Sequence, residues 1–437
     1  MSGAISIFRA AKKAVRRSSV SCCSQSIGGK NCAHSQPNTA ALTTNNANFG
    51  EFIRFIRFDV QAVQFNRLLA RVASRGRYFV KVPDLSINDR NHMKGLRPLR
   101  NGHIWLILAV SLGGCGGATW PAYEILQGET MGTYYRVQYA PSARCRPSQF
   151  VLDQQLVAFN QSMSTYISDS ELSLLNEAPA QDVRPISRRL STALRAAVEL
   201  WRDSQGAFDV TVGPLVNIWG FGPDKAAPWP PSEASQRNAA ASVGMQHIEL
   251  LTNNRIRKRL ATAYIDVSAI AKGQAVDELA ESMLNLGCEH FLVDIGGEVR
   301  VQGLNSARTL WRVGIEVPEP GQQGSVQRIL SVSGQSVATS GDYRNFRVVE
   351  GLRVDHVIDP RSGIPADNNV VSVTVVHPSA MWADAYATAL MVLGLDSGLE
   401  YAESRSLAAL ILAKNADATV TERYTSHMQP FLLSNPE

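Results

Sequence analysis

Alternating apolar and polar positions first become regular near residue 124. Tyr135, Val137 and Tyr139 alternate with polar neighbours, which predicts an extended strand over 124–139. Phe150, Leu152, Leu156, Val157 and Phe159 recur loosely at helical spacing and predict a helix over 147–160. Ser187 caps a second helix that runs to Gln205 and stops at Gly206, with Leu190, Leu194, Val198 and Trp201 on its inner face. A long Pro-, Gly- and Trp-rich loop is predicted over 213–235. Strands then fit 247–251 and 264–267, a helix fits 270–286 with Gly287 at its end, and a buried strand at 291–295 breaks at Gly296-Gly297. Further strands fit 311–317, 329–332, 336–339 and the β-branched run 370–376. Ser379 caps a helix through Leu393 that Gly394 ends, and a helix–strand pair near 399–404 and 407–413 closes the body. Strands and helices mingle without strict alternation. That order predicts a layered α+β fold, a mixed sheet with packed helices, over a doubly wound parallel sheet.

Composition narrows the class. Among 437 residues, 45% are apolar and 19% charged, so a large core can be buried and wholesale disorder is excluded. Six cysteines in a chain of this length do not make a disulfide framework, no C-x-x-C pair suggests a zinc ribbon, and a pairing of Cys145 with Cys288 stays open at this level. The net charge of +5 is unevenly spread: residues 1–92 hold 14 basic and 4 acidic residues, and the chain beyond residue 115 is net acidic. The basic total is therefore no sign of a nucleic-acid partner for the body of the protein.

Residues 93–115 read as an address. Lys94, Arg97 and Arg100 precede the apolar run Ile104–Leu112, and small residues lead to Cys115. That is the order of a secretory signal. Leu112-Gly113-Gly114-Cys115 resembles a bacterial lipobox, in which the cysteine is lipidated and becomes the mature N-terminus. An uncleaved anchor and a buried helix are the alternatives, because 101–123 carry no Asp, Glu, Lys or Arg. A signal starting at Met93 makes residues 1–92 an over-extended reading frame or a disordered basic arm, with one short helix predicted near 52–73. The expected organisation is 1–92 as extension, 93–115 as signal and 116–437 as the functional domain.

Several short motifs carry candidate chemistry, and each also has a structural reading. In Ala207-Phe208-Asp209, the aspartate either meets a polar ligand or caps a turn. Asp266 through Gly273 puts an acid at a strand end and Lys272 at a helix start, against the helix dipole. A bound anion would relieve that conflict, and so would pairing with Asp266. Asp294-Ile295-Gly296-Gly297 is a strand ending in a glycine pair, either a close backbone approach or a tight turn. Asp384 and Thr388 stand one helical turn apart, a half-site of hard oxygens that suits Mg²⁺, unless Thr388 bonds back to its own helix. His356, ahead of the Asp359-Pro360-Arg361-Ser362-Gly363 turn, is the candidate general base, whereas His377 reads as a loop residue. There is no G-x-G-x-x-G fingerprint and no P-loop.

The order of these pieces is more specific than any one of them. Met131-Gly132-Thr133, Met163 to Tyr166, Ala207 to Asp209, Asp266 to Gly273, Asp294 to Gly297, Thr339 to Gly341, His356 to Gly363 and Ala383 to Thr388 together resemble the ApbE family, the FAD:protein FMN transferases. The similarity runs over about 124–420 and implies an ApbE-like, T-fold-like architecture. It implies an enzyme that cleaves the pyrophosphate of FAD, transfers FMN to a Thr or Ser hydroxyl of an exported or membrane flavoprotein, and releases AMP. The implied acceptors are flavoprotein subunits of the Na⁺-translocating NADH:quinone reductase or Rnf type. The implied place is the inner membrane, facing the periplasm and held by a lipid at Cys115. By the same resemblance Met131, Tyr166, Ala207, Phe208, Asp209, Asp266, Lys272 and Ile358 line the FAD site. The carbonyl of Ala269 with Asp384 and Thr388 binds Mg²⁺ (Mn²⁺ being able to replace it), and His356 is the base. Tyr166 and Phe208 are expected to cover the flat rings. One departure stands out: some relatives carry a further acid where this chain has Met381, which throws more of the metal's coordination onto water and phosphate. The competing readings are an FAD pyrophosphatase, with water in place of the protein hydroxyl, and an exported flavin-binding lipoprotein without turnover.

Overall fold

The run predicted as one strand over 124–139 folds back on itself. Met131 and Gly132 both take positive φ, 49° and 72°, so the chain makes a two-residue turn between β1 (Glu124–Thr130) and β2 (Thr133–Tyr139). Gly296 and Gly297 do the same, at 62° and 110°, between β3 (Phe291–Ile295) and β4 (Glu298–Gln302). Because Tyr135 pairs with Ile295 across β2 and β3, the two turns lie at one end of the sheet. They also touch: a Cβ on Gly296 would come within 2.7 Å of the Thr133 methyl.

These four strands continue into β5 (Gln335–Gly341), β6 (Val370–His377), β7 (Ala408–Lys414) and β8 (Val420–Tyr424), giving an eight-stranded sheet whose spatial order is the chain order. Every pairing in it is antiparallel, so the layered α+β expectation stands while the mixed sheet is corrected. The physical reason is that each connection returns beside the strand it left, so no parallel crossover is needed. In the computed structural model the described residues are 120–433, apart from 223–229, 319–324, 342–345, 350–351, 367 and 418. The extension, the signal, Cys115 and the helix predicted near 52–73 lie outside them. No helix among the described residues is long and apolar enough to cross a membrane.

Helices occupy the long excursions. Between β2 and β3 come α1 (Gln149–Met163), α2 (Glu171–Asn176), α3 (Arg188–Asp203), α4 (Gly213–Ile218), α5 (Glu233–Ala240) and α6 (Ser268–Asn285). Between β6 and β7 come α7 (Ala380–Leu393) and α8 (Leu395–Ser404). Caps behave as the sequence predicts: Ser187 accepts from the Leu190 N–H, and Ser379 accepts from the Trp382 N–H. The stretch over 213–235 is not all loop, since Pro214 sits in the first turn of the short α4. The stretch 264–267, predicted as a strand, belongs to no sheet; the Asp266 N–H donates to the Val210 carbonyl at 2.7 Å, and the Val267 carbonyl already accepts from the first turn of α6.

The sheet is covered on both faces over its second half. On β7, Ala409 and Ile411 pack with Leu390, Met391 and Ala402 of the helices. Ala408, Leu410 and Leu412 pack on the other face with Trp311, Ile315 and Leu330, from a hairpin of Trp311–Glu316 and Val326–Val332. Burial on both sides explains why 407–413 reads as a continuous apolar run and not as an alternation. Under β2 and β3, α1, α3, α6 and α7 share the largest core, including Tyr135, Leu194, Val276 and Phe291.

Cys145 and Cys288 form a disulfide across 143 positions of sequence. It joins the chain just after β2 to the chain just before β3, and so closes the neck of the helical excursion. Replacing both cysteines by serine is expected to lower stability by about 2–5 kcal/mol. Urea unfolding of the oxidised protein and the variant measures this; equal midpoints would contradict it.

Candidate active site

One cavity of about 950 Å³ opens where the helical excursion meets the sheet. That is at the large end for a small-molecule site. The structure brings Tyr166, Ala207, Phe208, Asp209, Asp266, Ala269, Lys272, His356, Ile358, Asp384 and Thr388 to its wall. Of the residues that the resemblance assigns to the site, Met131 alone is missing from that wall. It occupies the strained β1–β2 turn and packs against the main core.

The aromatic expectation needs correcting at one position. The Phe208 ring is 2% exposed and belongs to the core, so it supports the floor of the cavity and offers no free face to a flavin. Tyr166, at 72% exposure, is free to cover a ring. Ile358 is likewise buried, against Leu215 and Trp219, so its side chain packs behind the wall.

Asp209 does cap its turn. Its Oδ1 accepts from the Thr211 N–H at 2.7 Å and from the Thr211 hydroxyl at 2.5 Å. Burial pushes its carboxyl up, and the Thr211 bonds oppose that shift. Asp266 stands just before α6 and accepts from the Ser268 N–H at 2.9 Å, which places a carboxylate at the helix N-terminus where the dipole favours it. His377 ends β6 and accepts the Ser379 N–H at 3.0 Å, a structural role.

The centre of the site is the contact of α6 with α7. A Cβ on Gly273 would lie 2.2 Å from the Ala380 carbonyl oxygen and 2.8 Å from the Asp384 Cβ, so only glycine lets the two helices come this close. At that approach the Gly273 N–H donates to Asp384 Oδ2 at 2.9 Å. In a regular α-helix the same N–H serves the carbonyl of Ala269, four residues back. Ala269 lies on the cavity wall, and a carbonyl oxygen with two lone pairs can accept beyond its helix bond. Asp277 of α6 locks the arrangement from behind: it accepts from the Ser379 hydroxyl at 2.6 Å and from the N–H groups of Ala380 and Met381 at 3.0 Å each. Thr388 is half-buried one turn beyond Asp384, with its hydroxyl 3.2 Å from that of Ser340 on β5.

Lys272 pairs with Glu298, not with Asp266. Glu298 opens β4 directly after the Gly296-Gly297 turn and is 2% exposed. Its Oε1 takes the lysine, while its Oε2 is buried with no hydrogen-bond partner. Burial raises both the Glu298 and the Asp384 carboxyls above the usual range, and Lys272 pulls both back. Sequence reasoning assigns Glu298 no role, because its partner lies 26 positions away on another element.

The residues present fit a divalent cation. Asp384, Thr388 and the Ala269 carbonyl are hard oxygen donors on one wall. Six carboxylates line the cavity (Asp209, Asp266, Asp294, Glu298, Glu316 and Asp384) against three basic side chains, Arg136, Lys272 and Arg312. A phosphate-bearing ligand entering so acidic a space needs added positive charge. No group of three or more His, Cys, Asp or Glu side chains arranged for a metal occurs among the described residues, so the site would be completed by ligand and water oxygens.

The ApbE family model matches residues 131–411, a span that contains every site residue named above. The chain belongs to the ApbE family. A Vibrio cholerae protein named FAD:protein FMN transferase is 40% identical over 332 residues, covering 75% of this chain and 98% of that protein. Its Escherichia coli K12 namesake is 35% identical, covering 68% and 86%. Among solved structures, the flavin transferase ApbE from Vibrio cholerae superposes with a TM-score of 0.65 at 39% identity, covering 71% of this chain and all of that one. The apo flavinyl transferase ApbE of Pseudomonas stutzeri superposes equally well, TM-score 0.65 at 35% identity, over 71% and 96%.

For this ApbE-family chain the helix contact gives a direct test. Gly273→Ala is expected to cost about 1–3 kcal/mol, because the methyl meets backbone that cannot swing aside. Thermal or urea unfolding reads the loss; an unchanged midpoint would mean that α6 and α7 are not packed as described.

Proposed function

We propose that this protein is a FAD:protein FMN transferase. It takes FAD, joins the FMN phosphorus to a threonine or serine hydroxyl of an exported or membrane flavoprotein, and releases AMP. The observation that carries this reading is the convergence of Lys272, Asp384, Thr388, His356 and Tyr166 on one cavity, in a chain whose relatives bear that name. Asp384, Thr388 and the Ala269 carbonyl would hold Mg²⁺, or Mn²⁺ in its place. When bound, the cation supplies neutralisation of the charge that grows on the pyrophosphate oxygens.

The chain's own residues do the remaining work. Lys272 adds a fixed positive charge beside the pyrophosphate. Asp266, Asp209 and the backbone at Ala207 and Phe208 orient the polar parts of the dinucleotide, and Tyr166 covers a flat ring. His356, half-buried at the cavity wall 6.3 Å from the Phe221 ring, accepts the proton of the attacking hydroxyl. The hydroxyl oxygen bonds to the FMN phosphorus as the bond to the AMP oxygen breaks. The rate depends on holding attacking and leaving oxygens in line.

Acceptors of the Na⁺-translocating NADH:quinone reductase or Rnf type belong to the same proposal. So does a lipid anchor at Cys115 on the periplasmic face of the inner membrane, with 116–437 as the mature enzyme. The Cys145–Cys288 disulfide supports export, because such bonds persist in oxidising compartments.

Incubation with FAD and a candidate acceptor, read as a mass gain of one FMN and release of AMP, tests the activity. AMP released at the same rate without acceptor would point instead to a pyrophosphatase. Asp384→Asn keeps an acceptor for the Gly273 N–H but removes the charge; it is expected to abolish transfer in a folded protein. Undiminished transfer would remove the cation assignment. His356→Ala is expected to slow transfer by about 10²–10⁴-fold. A pH–rate profile unaltered by that change would give the proton to another group.

A further inference from the structure

The Lys272–Glu298 pair has a job that the proposed reaction alone does not explain. Lys272 and Gly273 are neighbours on α6, and Asp384 sits on the Gly273 N–H. An ammonium and a divalent cation held at Asp384 would therefore share one corner of the cavity. Like charges that close repel strongly where water is scarce. A carboxylate held on the ammonium offsets part of that repulsion.

We propose that Glu298 is that carboxylate: a positioning residue that lets Lys272 and the cation occupy the same site. This rests on the cation reading given above. Three observations carry it. Glu298 is 2% exposed, and a buried carboxylate is retained only where something charged faces it. Its Oε1 is taken by the Lys272 ammonium, which fixes the lysine at the wall and not out in the cavity. Its Oε2 is buried without a hydrogen-bond partner, beside a cavity it helps to line. An orphaned carboxylate oxygen of this kind is costly unless a donor arrives with the ligand. Water held by the cation is such a donor, since Mg²⁺ keeps several of its waters.

With Met381 on its first turn, α7 contributes Asp384 as its one carboxylate in the cavity wall. Glu298 brings a further carboxylate to that wall from the sheet. The two-glycine turn before it sets its place: the Gly296 N–H donates to the Tyr134 carbonyl at 3.1 Å, and the Gly297 N–H donates to Asp294 Oδ1 at 3.0 Å.

The test is Mn²⁺ binding to the full chain saturated with FAD, titrated by electron paramagnetic resonance. Glu298→Gln is expected to weaken Mn²⁺ binding about tenfold or more, and Glu298→Asp to retain most of it. Adding Lys272→Met to Glu298→Gln is expected to restore affinity towards the unaltered protein, because the repelling charge is gone. Lys272→Met alone, which keeps Glu298, is expected to bind Mn²⁺ at least as tightly as the unaltered protein, and it decides the matter should Glu298→Gln fail to fold. Unchanged affinity in Glu298→Gln, no recovery in the double variant, or a loss in Lys272→Met alone would each overturn the proposal. Unaltered protein that binds FAD but no Mn²⁺ would overturn the cation reading beneath it as well, which separates the two failures.

Discussion

The contact that the site depends on is the one between α6 and α7 at Gly273. A glycine at this position lets a backbone N–H reach a buried carboxylate on the facing helix, and that carboxylate is Asp384. A carboxylate so deeply buried would ordinarily give up its charge. The N–H and the nearby lysine are what favour keeping it. Asp277 capping α7 from the same helix keeps the two from sliding. One close packing therefore sets the direction of Asp384 and brings it close to Lys272.

The sheet serves this contact from the other side. Its strands follow chain order, so long excursions can leave and return without disturbing the ladder. The two tight turns at Met131-Gly132 and Gly296-Gly297 end their hairpins at the same level. The second delivers Glu298 to Lys272. The residues of the cavity wall thus come from helix starts, strand starts and loops that meet at one place, while the core that supports them lies elsewhere.

Much of this was legible in the sequence, for identifiable reasons. Helices with a serine before them and a glycine after them were placed to within a few residues, because caps are local chemistry. Helical spacing alone puts Asp384 and Thr388 on one face, and both line the cavity. The hairpin at Met131 was read as a single strand because a methionine gives no hint of positive φ. The antiparallel sheet was misjudged because pairing partners such as Val137 and Val293 lie far apart in the chain. Phe208 is expected at the ligand because it stands in the Ala207–Asp209 motif, yet an aromatic next to a polar cavity also fills a core, and here it does. Glu298 could not be weighed from the sequence: nothing local distinguishes a carboxylate that meets a lysine on another element from one that meets water.

The central claim is that a cation bound by Asp384, Thr388 and the Ala269 carbonyl neutralises the pyrophosphate of FAD. A crystal grown with FAD and Mn²⁺, with anomalous diffraction measured at the manganese edge, tests it most directly. The account predicts one anomalous peak between the diphosphate oxygens and α7, bonded to those three protein oxygens. Bound FAD with no peak there, or with manganese held only by other residues, would contradict it.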